Sequence, residues 1–416
     1  MKKEMDNNLM EKIVSLCKRR GFIFQGSEIY GGLAGTFDWG HFGVALKNNI
    51  KQSWWKKFVD GRRDMYGVDA AIIMNPKVWE ASGHVAGFSD PTPDGKQFNV
   101  MFKTQVGAGE EAVTSYLRPE TAQGMFVNFK NTVDAFHPKL PFGMAQIGKA
   151  FRNEIAPRDF IFRQREFEQM EIEYFVRKSD WEKYFEYWKD EMLLWMEEIG
   201  IDMSKVHEIE VGDGDRAHYS SRTVDFEFDF PFGQKELFGL AYRTDFDLKT
   251  HKLDYVDEVP TESRGSSTAD AVGKKIIPHV IEPTFGIDRA ILAILASAYT
   301  EDQKDGEVRG YLKLKPNIAP VICAVSPLLK NKPELVEYAN TKVFAPLKEE
   351  FGRVIWDDNG NIGKRYRRQD EIGTPFCIVV DFDTLTDDSV TVRYRDTGAQ
   401  DRIKVENLAS YIKEKI

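Results

Sequence analysis

The chain has 416 residues, of which 42% are hydrophobic and 30% charged, and its formal net charge is −9. This length predicts two or three domains of ordinary globular composition. The acidic balance excludes a protein that coats nucleic acid through overall positive charge, but it leaves open a nucleic-acid partner met by local basic patches. No apolar run reaches the roughly 18–20 residues that a membrane span requires, so no membrane partner is expected.

The N-terminus predicts an amphipathic helix with apolar residues from Leu9 to Cys17 on one face. It is not expected to be a targeting segment, because it contains Glu and Asp and has no apolar stretch before a small-residue cleavage site. Cys17, Cys323 and Cys377 are far apart and form no Cys-x-x-Cys pair. We therefore expect buried free thiols in a cytoplasmic protein, with neither disulfides nor bound zinc.

Two antiparallel strands joined by a loop are predicted around the run Phe151-Arg152-Asn153-Glu154 and the following segment 162–171. Alternating side chains on the second strand are expected to share one face. These are Arg163, Arg165, Phe167, Gln169 and Glu171. A strand this polar is not expected in a buried core. Its residues are what an ATP site without a P-loop needs, because arginines bind phosphates, a carboxylate accepts from the adenine amino group and a ring stacks on the base.

The rest of the chain predicts helices and strands in a mixed order. Residues 180–199 predict the clearest helix, whose aromatic stripe we attribute to packing rather than to base stacking. A strand is predicted at 224–230, and a strand, a turn and an apolar helix are predicted from Ile276 to Ala298. From about residue 315 the pattern alternates between strands and helices, which indicates a small α/β domain. Its predicted strands are 321–325, 353–356, 377–382 and 390–394, with helices at 333–351 and at the C-terminus.

Several of these segments together resemble the class II aminoacyl-tRNA synthetases, and among them the dimeric glycyl-tRNA synthetases of the bacterial and eukaryotic-like type. Residues 146–175 resemble motif 2, and residues 279–298 resemble motif 3. Residues 47–76, predicted as a long helix and then a strand that ends at Pro76, resemble the dimer-forming motif 1. Leu117-Arg118-Pro119-Glu120-Thr121-Ala122-Gln123-Gly124 and Tyr242-Arg243-Thr244-Asp245-Phe246-Asp247-Leu248 are typical of the glycine enzymes. The ordered set covers nearly the whole chain.

The resemblance implies an α+β fold with two domains. Residues 1–315 are expected to form the class II catalytic domain, with an antiparallel sheet of six or seven strands, helices, and an inserted subdomain at about 176–275. Residues 316–416 are expected to form an α/β anticodon-binding domain. The implied protein is a homodimeric glycine–tRNA ligase that activates glycine with ATP and transfers it to the 3′ end of tRNA(Gly).

The resemblance also implies roles for particular residues. Arg152 and Arg289 are the expected catalytic residues, because they would hold the α-phosphate and the γ-phosphate of ATP. Glu236 is the expected Mg²⁺ ligand. The full expected ATP site is Arg152, Asn153, Glu154, Phe162, Arg163, Arg165, Phe167, Glu236, Leu237, Gly286, Asp288 and Arg289.

Glycine has no side chain, so its implied site must bind the ammonium and carboxylate groups and exclude a β-carbon. The implied residues are Glu120, Phe167, Gln169, Glu171, Arg243, Glu282, Thr284 and Gly286. Buried carboxylates are costly without a partner, which predicts a bound cation among them. One methylene changes affinity by only ~1–3 kcal/mol, so excluding alanine also requires a stiff wall. The implied anticodon contacts are Lys364, Arg365, Arg367 and Arg368.

Other interpretations fit individual residues. Glu120 or Glu282 alone is also typical of a structural ion pair, and the basic run after Gly363 of a solvated charged face. A sister class II ligase for proline, threonine or serine and a non-catalytic synthetase-like protein remain alternatives. A class I ligase is disfavoured, since no His-x-Gly-His is present. Only Thr92 to Lys96 follow Pro91 where the family often has a longer insertion, so no zinc is expected.

Overall fold

The computed structural model describes residues 2–217, 219–257, 273–304 and 307–416. Its helices in chain order are α1 (Lys2–Arg20), α2 (His41–Trp55), α3 (Pro76–Ala81), α4 (His84–Gly87), α5 (Ala122–Phe136), α6 (Trp181–Glu198), α7 (Phe246–Thr250), α8 (Ile287–Ala298), α9 (Pro333–Tyr338), α10 (Ala345–Phe351), α11 (Ile362–Glu371), α12 (Thr384–Asp387) and α13 (Leu408–Lys413). The π-helical segments Lys56–Asp60 and Ala339–Phe344 extend α2 and join α9 to α10. Within these described ranges, no helix combines the length and apolarity needed to cross a bilayer.

The strands form two larger sheets and several two-stranded ribbons. In chain order they are β1 (Ile23–Gln25), β2 (Phe37–Trp39), β3 (Met65–Gly67), β4 (Ser89–Pro91), β5 (Gln97–Asn99), β6 (Lys103–Val106), β7 (Val113–Tyr116), β8 (Phe142–Phe151), β9 (Glu166–Val176), β10 (Val206–Glu210), β11 (Arg222–Phe230), β12 (Gly233–Thr244), β13 (Tyr255–Asp257), β14 (Lys274–Ile276), β15 (His279–Gly286), β16 (Tyr299–Lys304), β17 (Glu307–Leu312), β18 (Cys323–Pro327), β19 (Val354–Trp356), β20 (Phe376–Val380), β21 (Ser389–Tyr394) and β22 (Gln400–Lys404). A short turn over residues 92–96 joins β4 to β5, where the sequence predicts a shortened segment.

The larger sheet has seven strands in the order β10–β11–β12–β15–β9–β8–β3. Neighbouring strands are antiparallel except for β3 and β8, which run parallel. The expected sheet of six or seven strands is therefore confirmed, with the correction that one edge pair is parallel. The long connection between β3 and β8, which contains α5, permits this parallel pairing.

The range of about 176–275 differs from the expected inserted subdomain. Its strands β10, β11 and β12 belong to the seven-stranded sheet, so its described residues share the core of the catalytic fold. Helix α6 packs on that core, and its Phe185, Trp188 and Trp195 are fully buried, which agrees with the predicted packing role of the aromatic stripe. Residues 258–272 of this range lie outside the described residues.

The two faces of β9 have opposite chemistry, because side chains alternate along a strand. Its even-numbered residues 170–174 lie in the large apolar core with α2, α6 and α8. Its odd-numbered residues 169–173 lie on the other face, where Phe175 packs beside α5. The expectation that so polar a strand avoids the core is wrong, since β9 is central and buried from residue 169 onward.

The segment 47–76 is a helix followed by a strand, as predicted, but its ends differ from the prediction. The helix begins earlier, at His41, and β3 ends at Gly67. Pro76 does not end the strand but begins α3, where Asn75 Oδ1 accepts a hydrogen bond from the Lys77 amide at 3.0 Å. Proline favours this first helical position because the amide that it lacks has no partner there.

The C-terminal sheet has five strands in the order β19–β18–β20–β21–β22. Its first three strands are parallel and its last two are antiparallel. The four strands predicted beyond residue 315 correspond to β18, β19, β20 and β21. The edge strand β22 was not predicted, because its residues are mostly polar and exposed and show no apolar alternation.

Helix α11 connects the C-terminal sheet to the β16–β17 ribbon and to α1 through ion pairs. Asp370 accepts from both terminal nitrogens of Arg393 in β21, at 2.8 and 2.9 Å. The same carboxylate contacts Arg309 of β17, and Glu371 contacts Arg20 of α1. Since Asp370 and Glu371 are both buried, these contacts fix α11 against the larger part of the chain.

Candidate active site

A cleft lies between the start of β9, the middle of β12 and the end of β15. It brings together most of the residues predicted to bind ATP. Those that line it are Arg152, Glu154, Phe162, Arg163, Phe167, Glu236, Leu237, Gly286, Asp288 and Arg289. Asn153 and Arg165 do not line it. The backbone N–H of Asn153 instead donates to the backbone carbonyl of Val100 at 2.7 Å.

Arg152 lies between two aromatic rings on the wall of the cleft. Its guanidinium carbon is 5.2 Å from the ring centre of Phe88 and 5.2 Å from that of Phe167. Its Nε donates to Pro119 O at 3.0 Å. These contacts fix the plane of the guanidinium, which suits it to grip phosphate oxygens with its terminal nitrogens.

The loop before β9 is held by Arg163 and Arg165, which precede the strand and so do not share its face as predicted. Arg163 donates to Glu154 Oε2 at 2.5 Å and to Asp90 Oδ2 at 2.9 Å. Arg165 donates to Glu154 O at 3.0 Å and to Ala34 O at 2.7 Å. Both arginines therefore shape the cleft, and only Arg163 also lines it.

Arg289 lies on the opposite side of the cleft, in the first turn of α8. Its guanidinium carbon is 4.4 Å from the ring centre of Phe162. Its Nη1 lies 2.9 Å from Glu236 O and 3.1 Å from Glu236 Oε2. The ring and the glutamate thus hold the guanidinium flat, as stacking on a base requires.

Glu236 has a second carboxylate nearby that the sequence reasoning missed. A methyl group built on Gly239 would lie 3.9 Å from Asp225 Oδ1 and 3.9 Å from Glu236 Oε1, so both oxygens approach one point above that glycine. Burial and the charge of Glu236 raise the pKa of Asp225 to about 6. Two carboxylates beside a phosphate-sized cleft fit the oxygen ligands that Mg²⁺ prefers.

Asp288 borders the cleft, but its carboxylate is bound by structural partners. Its Oδ1 is 3.0 Å from Lys47 Nζ, and its Oδ2 accepts from the Glu168 amide at 2.9 Å. Lys47 Nζ is also 3.0 Å from Glu168 Oε2. This buried cluster joins α2, β9 and α8, so Asp288 positions the ATP residues and is not itself free to bind ATP through its carboxylate.

Half of the predicted glycine residues line the same cleft, namely Phe167, Gln169, Thr284 and Gly286. The other half, Glu120, Glu171, Arg243 and Glu282, are buried and do not line it. Glu171 is 2% exposed. Its Oε1 accepts from Thr284 Oγ1 at 3.0 Å and from Gln169 Nε2 at 3.4 Å, and its Oε2 accepts from Thr121. Three neutral donors therefore hold this carboxylate in one orientation.

Arg243 is the fixed cation of this pocket and is 1% exposed. It forms a bidentate pair with Asp247, at 2.7 and 2.8 Å, and its Nη1 donates to Glu282 Oε1 at 2.7 Å. The Tyr219 ring centre lies 3.7 Å from its guanidinium carbon. Asp247 was not predicted as a site residue, although it lies in the segment 242–248 that supports the resemblance.

Glu120 faces Glu171 and Glu282 from the segment before α5. Its Oε2 is 3.2 Å from His84 Nε2, and its Oε1 accepts from Gln123 Nε2 at 3.2 Å. Burial opposes ionisation, but His84 and Arg243 outweigh it and hold the pKa of Glu120 well below its usual range. Burial and the negative charge of Glu120 raise the pKa of Glu171.

Glu173 also lies among these charged residues and was missed by the sequence reasoning. It is 0% exposed, and neither of its carboxylate oxygens has a hydrogen-bond partner among the described residues. The alternation of Gln169, Glu171 and Glu173 along β9 was the signal that could have identified it.

The predicted anticodon residues on α11 divide into buried and exposed side chains. Arg365 is 3% exposed and donates to Pro327 O at 2.5 Å and to Gly360 O at 2.9 Å. The expectation that it contacts tRNA is therefore wrong, because its guanidinium is committed to backbone carbonyls. Arg368 pairs with Asp357 at 2.5 Å, and Arg367 lies 3.8 Å from Glu371. Lys364 is exposed.

Comparison with known protein families gives two matches. Residues 102–298 match the tRNA synthetase class II core domain (G, H, P, S and T), and residues 322–415 match the anticodon binding domain. The similar proteins include the glycine–tRNA ligase of Thermus thermophilus, which is 43% identical over 504 aligned positions, covering 99% of this chain and 100% of the relative. That of Lachnospira eligens is 45% identical and covers 98% of both chains.

A solved structure with a similar fold is a prolyl-tRNA synthetase from Cryptosporidium parvum, complexed with halofuginone and AMPPNP. It superposes with a TM-score of 0.70 and 17% identity, covering 97% of this chain and 74% of that one. This likeness shows the fold alone. The alignment with the Thermus relative, 504 positions, is longer than the 416 residues of this chain, so that relative has segments that this chain lacks.

Proposed function

This chain belongs to the class II glycine–tRNA ligases, and we propose that its cleft and the carboxylate pocket beneath it bind ATP and glycine side by side. The observation that supports this most directly is the hydrogen bond from Thr284, which lines the cleft, to Glu171 in the pocket. It connects the ATP cleft to a set of carboxylates suited to one ammonium group.

The proposed first step joins glycine to AMP. A glycine carboxylate oxygen attacks the α-phosphorus, and the bond from that phosphorus to the pyrophosphate oxygen breaks. Arg152, held between Phe88 and Phe167, would neutralise the α-phosphate, and Arg289 would bind the γ-phosphate. Phosphoryl chemistry of this kind depends mainly on positioning and charge neutralisation. Glu236 and Asp225 would hold Mg²⁺, whose charge would offset that of the phosphates.

The second proposed step transfers glycine to tRNA. The 3′-hydroxyl of tRNA attacks the carbonyl carbon of the adenylate, and AMP leaves. The phosphate oxygen can accept the hydroxyl proton, so this step requires no protein base. Exposed Lys364, with Arg367 and Arg368 on the same helix, is the proposed anticodon contact.

The remaining expectations stay part of this proposal. They are a homodimer formed through 47–76, a cytoplasmic location, a catalytic domain over 1–315 and an anticodon-binding domain over 316–416. The ion pairs of α11 with Arg309 of β17 and Arg20 of α1 support a fixed arrangement of these domains.

The assignment is tested by glycine-dependent exchange of pyrophosphate into ATP. Arg152→Ala and Glu171→Gln are both expected to lose this exchange while the protein stays folded. Arg158→Ala is the matched control, because Arg158 lies in the same loop with a side chain 61% exposed and pairs only loosely, at 3.5 Å, with Asp159. Exchange at the wild-type rate in either site variant would contradict the site assignment.

A further inference from the structure

Glu173 is a buried carboxyl group to which the proposed reaction assigns no role. It is 0% exposed and points into the glycine pocket from β9, where both oxygens have no hydrogen-bond partner among the described residues. An ionised carboxylate in such a place would be very unfavourable, since a buried charge must be paired and hydrogen-bonded.

The neighbours of Glu173 do not compensate a negative charge. One carboxylate oxygen from each of Glu171, Glu173 and Glu282 lies within 4.8 Å of the other two. The cation Arg243 of β12 already pairs with Asp247 of α7 and with Glu282 of β15. On β8, the residue opposite Glu173 is the apolar Met144.

The charge balance of the pocket also indicates that its carboxyl groups cannot all be ionised without a further cation. Five buried carboxyl groups lie around the guanidinium of Arg243 among the described residues. They are Glu120, Glu171, Glu173, Glu282 and Asp247. Arg118 acts on Glu171 and His84 contacts Glu120, so at most three cations face these five carboxyl groups. Free glycine has one positive and one negative group, so its binding adds no net positive charge. A proton or another cation is therefore needed among these carboxyl groups.

Glu173 is the member of the set on which that proton is most favourable. Glu171 has three neutral donors, Glu282 has Arg243 and Glu120 has His84, whereas Glu173 has no donor among the described residues. Burial raises the pKa of Glu173 well above its usual value; Glu282, Glu171 and Asp247 raise it further, and Arg243 opposes them.

We propose that Glu173 is a positioning residue for glycine, which stays a neutral acid and donates its proton to a neighbouring pocket carboxylate. As a donor it holds Glu171 or Glu282 in place and leaves that carboxylate charged for the glycine ammonium group. This inference rests on the proposed glycine site. It assigns to the pocket a carboxyl group that acts through other carboxylates and does not itself touch the substrate.

The proposal is tested by two substitutions at Glu173, one that removes the hydrogen-bond donor and one that keeps a donor. Glu173→Met keeps the approximate length but removes the donor, and we expect the KM for glycine to rise at least tenfold with an unchanged KM for ATP. Glu173→Gln replaces the acid by an amide that still donates, and we expect it to restore the KM for glycine to within about threefold of wild type. Glycine-dependent pyrophosphate exchange measures both constants.

The matched control for Glu173→Gln is the same change of acid to amide at Glu282. Glu282→Gln removes a charge that the proposal assigns to the ammonium group, so it should lose glycine binding where Glu173→Gln keeps it. If Glu173→Gln raises the KM for glycine as much as Glu282→Gln does, Glu173 acts as an anion and the proposal is wrong. If Glu282→Gln also binds glycine normally, the proposed glycine site itself is wrong.

A bound alkali cation is the other species that could balance these carboxylates. Exchange assays in sodium, potassium and choline buffers separate it from a proton. The proposal predicts the same KM for glycine in all three buffers. It also predicts an infrared band of a protonated carboxylic acid in wild type that Glu173→Gln removes. A KM that depends on sodium or potassium and loses this dependence in Glu173→Gln would overturn the proposal.

Discussion

Thr284 Oγ1 donates a hydrogen bond of 3.0 Å to Glu171 Oε1, across the neighbouring strands β15 and β9. The two residues pair directly in the sheet register, so the backbone fixes their separation. The hydroxyl orients the carboxylate, and Thr284 itself lines the cleft. One side chain thus bears on both glycine binding and the exclusion of larger amino acids.

We expect the two groups of Thr284 to have separable effects. Thr284→Val keeps the shape and loses the hydroxyl, so the KM for glycine should rise about tenfold, since a hydrogen bond to a charged group contributes about 1.5 kcal/mol or more. Thr284→Ser keeps the hydroxyl and removes the methyl group, so the KM for glycine should change little while activation of alanine increases. Pyrophosphate exchange with each amino acid measures both effects. Unchanged glycine kinetics in Thr284→Val would contradict this account.

The binding of glycine should weaken as the pH falls. Burial raises the pKa of Glu282 above its usual value; Arg243 opposes this rise, and Glu171 and Glu120 add to it. The ionised form attracts the ammonium group, and it is lost as the pH falls through the pKa. We therefore expect the KM for glycine to rise as the pH falls, by at most about tenfold per pH unit, as the binding of one proton requires. A KM that is constant between pH ~6.5 and ~8.5 would contradict the role of Glu282.

Lys47 should be important for stability as well as for the cleft. Its ammonium group lies 3.0 Å from both Glu168 and Asp288, and Lys47→Met would leave these buried carboxylates without it. We expect a loss of about 3–5 kcal/mol in the free energy of unfolding, measured with urea. Lys51→Met is the control, because Lys51 lies 3.1 Å from the same Glu168 with a more exposed side chain, and it should cost less than about 1 kcal/mol. Equal losses of unfolding free energy in Lys47→Met and Lys51→Met would show that the burial of Lys47 does not determine its contribution to stability.

Two neighbouring cations on α11 should differ in function. Arg365 donates to the carbonyls of Pro327 and Gly360, so Arg365→Ala should lower the free energy of unfolding by about 1–3 kcal/mol. Lys364→Ala removes an exposed side chain and should change stability by less than about 0.5 kcal/mol. It should nevertheless weaken tRNA binding, measured by filter binding at fixed salt. Normal tRNA binding by Lys364→Ala would remove this residue from the proposed anticodon contact.

The sequence predicts the strand positions well where side chains alternate, as in β11 and β21, and it predicts most residues of the cleft. It misplaces Arg163 and Arg165, because an unbroken polar alternation continues through the loop before β9 and shows no strand start. It also misjudges Arg365, since a basic run on a helix looks the same whether a side chain lies in solvent or folds onto nearby carbonyls.

Contacts between residues that are distant in sequence also limit what the sequence can predict. Lys47 and Asp288 are 241 positions apart. The lack of a donor for Glu173 among the described residues likewise depends on strands and helices that are distant in sequence. Neither fact has a signature in a local pattern. Charge alone marks such residues as candidates, and only the fold shows which of them are paired.

The most direct test of the central claim is pyrophosphate exchange into ATP, run separately with glycine, alanine, serine, threonine and proline. This account predicts exchange with glycine alone, because the pocket offers buried carboxylates to the ammonium group and is proposed to exclude a β-carbon. Exchange driven by another of these amino acids, or by none of them in a folded protein, would contradict it.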